Sequence, residues 1–279
     1  MIKIYHVSDL HFTSGATIAT VPASEDLQAR RLLEYIHARH FSRFPIIAPD
    51  ADSSYLLVTG DLVDDAQEDQ YVACAAALTP FAGRLLACPG NHDVARLGDV
   101  YDAGSLDRWR KHIQPLCLYQ GDQTTRQPAE VHLKNGGTSV RTIGLNSCIY
   151  SMTDFGCGEV GDEQRDALLE ILNRATYMSW PTLVYFHHRP FALNWPVSKV
   201  MALKDGPALM EILDGVIDAA CYGHTGTNIE LPYGVPLELL QTTLKGTQHL
   251  DANASVSTGS YYEITFDGSE CKVTAMRTA

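Results

Sequence analysis

The sequence has no apolar run approaching the roughly 18 residues that a membrane-crossing helix needs, so no transmembrane segment is expected. It has no CxxC pair among its seven cysteines, which read as reduced, mostly buried thiols and not as a disulfide framework. Positive charge is scarce: 21 Lys and Arg stand against 33 Asp and Glu, for a net charge of −12. An acidic surface repels a phosphate backbone, which disfavours extended duplex nucleic acid as a partner. Small phosphates escape that limit where bound metal ions invert the local field. Long charge runs, internal repeats, low-complexity tracts and clear linkers are also missing, so residues 1–279 read as one compact domain. The N-terminal stretch alternates like a strand and lacks the form of a signal peptide, so a soluble cytoplasmic protein is expected.

What is present is enough apolar content, 45%, for a sizeable core. Apolar runs at 2–8, 55–59, 84–88, 129–133, 139–146, 182–186 and 216–222 predict strands, several of them apolar on both faces. Helical spacing predicts helices over 24–43, 66–80, 162–174 and 206–214. The stretch 236–244, 259–266 and 271–276 predicts a strand-rich end, with a turn at Asp267-Gly268. Residues 95–128 hold Leu106, Trp109, Ile113 and Leu116 at helical spacing and read either as a lid or as a plain helical excursion. Strands alternating with helices, followed by more strands, predict two sheets covered by helices.

Chemistry concentrates in five short segments, each just after a strand-like run. They are Asp9-Leu10-His11, Gly60-Asp61, Gly90-Asn91-His92-Asp93, His187-His188 and Gly223-His224. Asp9 and His11 are two apart, so in an extended segment both point the same way and can grip one ion. The two oxygens of Asp61 can bridge two ions. Asn91 offers an amide oxygen, and His92, His187 and His224 offer imidazoles. A lone DxH or a lone buried histidine is ordinary; the ordered set at strand ends is specific, and it suits two hard-to-borderline ions sharing a carboxylate.

This series resembles the calcineurin-like metallophosphoesterase family, and the resemblance covers roughly residues 2–276. Phe186-His187-His188-Arg189-Pro190 is similar to the histidine-histidine-proline-proline run of the cyclic-nucleotide and glycerophosphodiester phosphodiesterase branch, with Arg189 as a departure. The resemblance implies a four-layer α/β/β/α sandwich with two mixed sheets. It implies a binuclear centre of Mn, Fe or Zn, with Asp9 and His11 on the first ion, Asp61 shared, and Asn91, His187 and His224 on the second. His187 is preferred over His188 because it comes first after its strand. His92 is then no ligand: it stabilises charge on the phosphoryl group and protonates the leaving oxygen, oriented by Asp64. Asp93 reads as a structural cap.

The implied activity is hydrolysis of a small phosphate ester, most naturally a phosphodiester, by a hydroxide held between the ions. Gly226 stands where the family carries a histidine that completes the first site, which weakens that site unless Thr225, Asn228 or His249 substitutes. Two rival readings remain: a nuclease of the same family, and a phosphate-binding protein without turnover.

Overall fold

A computed structural model describes residues 1–13, 24–42, 53–96, 98, 100–149, 156–191, 202–224, 240–252 and 255–278. The elements run β1 (Ile2–Val7), α1 (Ser24–Ile36), β2 (Ser54–Thr59), α2 (Glu68–Leu78), β3 (Leu85–Cys88), α3 (Asn91–Val94), β4 (Ala95–Arg96), β5 (Val100–Tyr101) and α4 (Ala103–His112). After these come β6 (Ala129–Asn135), β7 (Thr138–Gly144), α5 (Asp162–Leu172), β8 (Thr182–Tyr185), α6 (Gly206–Leu213) and β9 (Ala219–Tyr222). The chain closes with β10 (Leu240–Leu244), β11 (Thr247–Asp251), α7 (Ser255–Thr258), β12 (Ser260–Asp267) and β13 (Glu270–Arg277). Among the described residues no helix is long and apolar enough to cross a membrane.

Two large mixed sheets organise the chain. One has the order β13-β12-β1-β2-β3, the other β10-β11-β9-β8-β7-β6. In the first, β1, β2 and β3 run parallel and β12 runs antiparallel to both its neighbours, β1 and β13; in the second, β7, β8, β9 and β11 run parallel, with β6 and β10 antiparallel at the two edges. The period of two sorts each strand's side chains between layers. Ile2, Ile4, Leu57, Leu86 and Cys88 face Leu183, Tyr185, Ala219, Cys221 and Leu250 between the sheets. Tyr5, Val7, Leu56, Val58, Leu85 and Ala87 face outward, where α1, α2 and α4 cover them with Leu33, Ile36, Tyr71, Cys74 and Trp109. On the far side, Val184, Phe186, Ala220 and Tyr222 pack with Leu168 and Leu172 of α5 and Leu209 and Leu213 of α6. These three apolar seams make the four-layer α/β/β/α sandwich that the sequence predicts.

One expectation is corrected, and two elements were not foreseen. The helix expected over 24–43 leaves α geometry at Ile36 and finishes as a π turn, His37–Phe41. Thr247–Asp251 is a strand that the sequence did not announce, and Ala95–Arg96 with Val100–Tyr101 forms a two-stranded hairpin. In the remainder of 95–128, Trp109, Ile113 and Cys117 are fully buried in the outer core of the first sheet. All seven cysteines are free thiols.

The parallel strands β1, β2 and β3 of one sheet and β8 and β9 of the other end at one edge of the sandwich, and their exit loops carry the five chemical segments. Open α/β sheets bind ligands at the carboxyl ends of their strands.

Candidate metal centre

The exit loops are held in unusual conformations. Among the described residues, six non-glycine residues have positive φ, and four of them are Asp9 (55°), His11 (45°), Asp61 (49°) and His224 (75°). Left-handed backbone costs a non-glycine residue on the order of 1–3 kcal/mol and persists only where its surroundings over-determine it. Here Asp9 N donates to Gly60 O (3.1 Å), His11 N to Asp61 O (3.0 Å) and Gly223 N to His187 O (2.9 Å), zipping the loops together. Asp93 fastens two of them from beneath: its carboxylate accepts from Leu62 N (2.9 Å), Val63 N (3.0 Å) and Gly90 N (2.8 Å). That is the capping role expected for it. Gly60, at φ 87°, turns the chain where any side chain would strike the His187 ring, and a side chain at Gly90 would strike the Asp61 carboxylate.

Side-chain orientation follows from who donates to whom. His187 is fully buried and its Nδ1 donates to Thr59 O at 2.7 Å, since a carbonyl only accepts. The opposite nitrogen, Nε2, lies 3.2 Å from Asp61 Oδ2, 3.1 Å from Asn91 Oδ1 and 3.1 Å from His224 Nδ1. Asn91 Nδ2 donates to Gly98 O (3.2 Å), which turns its carbonyl oxygen inward. Asp61 Oδ1 accepts from His92 N (2.9 Å), and Asp9 Oδ2 accepts from His224 N (3.1 Å). Beyond Asp61, His11 Nε2 stands 3.8 Å from Asp61 Oδ2 and 3.9 Å from Asp9 Oδ1.

Lone pairs therefore converge with too few protons between them. A proton on His187 Nε2 satisfies one neighbour and leaves the others facing a like partial charge. A cation bonded at about 2.0–2.2 Å to each donor fits atoms spaced about 3–4 Å apart, and the nitrogen and oxygen donor set matches borderline divalent ions. The electrostatics agree. Burial alone pushes His187 down, but the Asp61 carboxylate, by charge and hydrogen bond, with Asp9, carries it up to about 9. Burial likewise depresses His11, while Asp64, Asp61 and Asp9 lift it to about 9. Burial pushes Asp9 up, whereas the surrounding imidazoles of His187, His92 and His11 outweigh burial at Asp61 and hold it well below the usual range. The pocket attracts positive charge.

Asp9, His11, Asp61, Asn91, His187 and His224 thus come together, and one atom from each of Asp9, Asp61 and His187 lies within 4.8 Å of the others. His92 sits at the rim, its side chain 25% exposed and its ring edge-on to His11 at 4.8 Å. Its Nδ1 donates to the main-chain oxygen of Asp64 at 2.7 Å. The Asp64 carboxylate addresses His11 Nδ1 at 3.3 Å and is 3.8 Å from His92 Nδ1. His249 is engaged elsewhere, with Asp214 at 3.1 Å. Gly226, Thr225 and Asn228 lie outside the described residues. Sequence reasoning did not single out Thr59, Gly98 or Ser147. Thr59 and Gly98 act through backbone carbonyls, which no side-chain pattern marks.

A model of the calcineurin-like phosphoesterase family matches residues 2–228. A probable cyclic nucleotide phosphodiesterase of Rhodococcus erythropolis is 26% identical over 247 residues, 86% of this chain and 70% of that protein. The 3',5'-cyclic adenosine monophosphate phosphodiesterase CpdA of Haemophilus influenzae is 24% identical over 226 residues, 80% of this chain and 69% of that protein. A purple acid phosphatase from yellow lupin (Lupinus luteus) seeds superposes with a TM-score of 0.60 at 12% identity. That likeness covers 99% of this chain and 51% of the phosphatase, so the chain spans about half of that protein, and what is shared is the fold. The chain belongs to the calcineurin-like phosphoesterase family, hydrolases that cut phosphoester bonds with two metal ions.

Proposed function

We propose that this protein hydrolyses a small phosphodiester, with cyclic nucleotides as the first class to try. The observation that carries this is the buried Asp61 carboxylate, whose one oxygen, Oδ2, faces both His187 Nε2 (3.2 Å) and His11 Nε2 (3.8 Å). In this reading Asp9 and His11 hold the first ion, Asp61 is shared, and Asn91, His187 and His224 hold the second. When bound, two such ions supply Lewis acidity toward a phosphoryl oxygen and a nucleophile at neutral pH. Manganese, iron and zinc all accept this donor set.

The remaining chemistry belongs to the chain. Asp64 O fixes the Nδ1 proton of His92, so Nε2 is the nitrogen left to meet the substrate. In the doubly protonated ring, Nε2–H donates to a phosphoryl oxygen and then passes its proton to the leaving oxygen. Asp64 steadies His92 through its backbone and His11 through its carboxylate, so its role is positioning. Two relatives described as cyclic nucleotide phosphodiesterases support the diester preference. The net charge of −12 weighs against a nuclease.

The test is hydrolysis of cyclic AMP and of bis(p-nitrophenyl) phosphate with Mn or Zn, by the natural chain and by Asp61→Ala. Turnover lost in the variant supports the proposal; equal turnover in both sinks it. Gly226 favours a second reading, a phosphate-binding protein without turnover. Tight nucleotide binding with no hydrolysis across Mn, Fe and Zn would establish that reading instead.

A further inference from the structure

His188 is a buried histidine that the proposed chemistry does not use. Its side chain is fully buried, so no substrate reaches it. Its ring lies 4.4 Å from that of His224 and 4.9 Å from that of His187, centroid to centroid. One nitrogen from each of these three rings lies within 4.8 Å of the others. Ser147 Oγ is 2.8 Å from His188 Nδ1 and also accepts the His188 main-chain N–H at 3.2 Å. A hydroxyl oxygen has two lone pairs and can accept both protons. With Nδ1 protonated, the lone pair sits on Nε2, which has no hydrogen-bond partner. A buried polar atom left unpaired is costly and calls for a reason.

Space has been cleared for this ring. Gly158 passes so close that a side chain there would strike the His188 imidazole. Gly158 is also pinned by bridges to Cys148 and to Leu203, so the ring fits against backbone that does not yield easily. An imidazole with one nitrogen donating to the protein and the other bare is how metal-binding histidines are usually held.

We propose that His188 supplies a third imidazole to the second metal site, beside His187 and His224. This inference rests on the reading of the cluster as a metal centre. The second site then draws on Asp61, Asn91 and three imidazoles, while the first has Asp9, His11 and the shared Asp61. Imidazole-rich sites favour zinc, iron or cobalt over manganese. The two sites therefore differ in kind: one tight and nitrogen-rich, the other weak and exchangeable.

The test loads the full chain with zinc, removes free metal, and measures affinity by chelator competition and imidazole number by X-ray absorption. His188→Asn keeps a donor to Ser147 but deletes the atom at Nε2, whereas His188→Gln places an oxygen near it. His188→Asn is expected to weaken the tighter ion by about 10–100-fold or more and to lower the imidazole number by one. His188→Gln is expected to recover part of the affinity. Metal-free thermal midpoints serve as the folding control, and if His188→Asn does not fold, His188→Gln and Ser147→Ala carry the comparison. Unchanged affinity and imidazole number in folded His188→Asn, with both lost in His187→Asn, overturns the inference and leaves the metal-centre reading intact. Zinc binding that is absent, or indifferent to both substitutions, overturns the two together.

Discussion

Asp61 and His187 meet across the interface of two sheets. Asp61 leaves the end of β2 in one sheet, His187 leaves the end of β8 in the other, and their Oδ2 and Nε2 atoms lie 3.2 Å apart. The centre is therefore also a joint of the fold. An ion held there binds the folded chain and not the unfolded one, so metal and stability are linked by mass action.

His92 and Asp64 separate two functions by two kinds of contact. His92→Ala is expected to lower kcat by about 10²–10⁴-fold with metal content unchanged, because the ring is at the rim and gives only its main-chain N–H to Asp61. The loss should shrink for substrates with a good leaving group such as p-nitrophenolate, which needs no proton. Asp64→Ala keeps the carbonyl that holds His92 but loses the carboxylate facing His11. Its main effect should fall on affinity for the weaker ion. Steady-state kinetics with two leaving groups, beside metal analysis, separates these outcomes; equal losses for both leaving groups in His92→Ala would refute the acid role.

Arg189 and Asp251 form a buried ion pair, with both side chains only 2% exposed. Arg189 follows the His187-His188 turn and Asp251 ends β11, so the pair ties the loop that carries His187 to a neighbouring strand. Arg189→Met leaves the Asp251 carboxylate buried without this partner, and a cost of about 3–5 kcal/mol is expected. Arg189→Met with Asp251→Leu should recover much of it. Urea unfolding of the two single variants and the double variant measures the coupling, and additive losses would show that the pair does not act as one unit.

Much of the fold was legible because strands buried on both faces must be apolar throughout, as Leu56-Leu57-Val58 and Leu85-Leu86-Ala87 are. Thr247–Asp251 was not legible. It mixes Thr, Gln, His and Asp, and three of these polar side chains meet partners distant in sequence: Leu213 O and Ile217 O for Thr247, Asp214 for His249, and Arg189 for Asp251. The chemical segments of the candidate site were visible as residue types at strand ends. The atom-level pairing was not, since Thr59 and Gly98 contribute main-chain oxygens. Which atom of Asp64 meets His92 was likewise not legible: the closer contact is its backbone carbonyl, and the carboxylate is 3.8 Å away.

Acid should destabilise the protein through His6. This ring is fully buried against Thr59 Oγ1 (2.9 Å), and burial lowers it to about 3. Above the ordinary histidine pKa of about 6.5, neither the folded nor the unfolded state carries the proton. As pH falls from there toward 3, the unfolded chain gains a proton that the folded chain refuses. Stability therefore drops by up to about 1.4 kcal/mol per pH unit from this group. Burial also lowers His40, with Arg39 and Lys3 adding to the effect, to about 4, so it acts in the same direction. His187 and His11, raised to about 9, contribute in the opposite sense, so the contribution of His6 is read as a difference between two metal-free proteins. In urea unfolding at pH 7.5, 6 and 5, His6→Gln should gain stability relative to the unmodified chain as pH falls; an identical pH dependence in the two proteins would exclude His6 as a source.

Metal content per chain tests the central claim most directly. The chain is reconstituted with excess Mn or Zn, freed of unbound metal and analysed for elements, alongside Asp61→Ala. Two ions per chain are expected, one leaving readily under mild chelation because Gly226 stands at the sequence position where the family resemblance implies a ligand histidine, and both weakened in Asp61→Ala. At most one ion in the natural chain, or two ions equally held in both proteins, would contradict a binuclear centre bridged by Asp61.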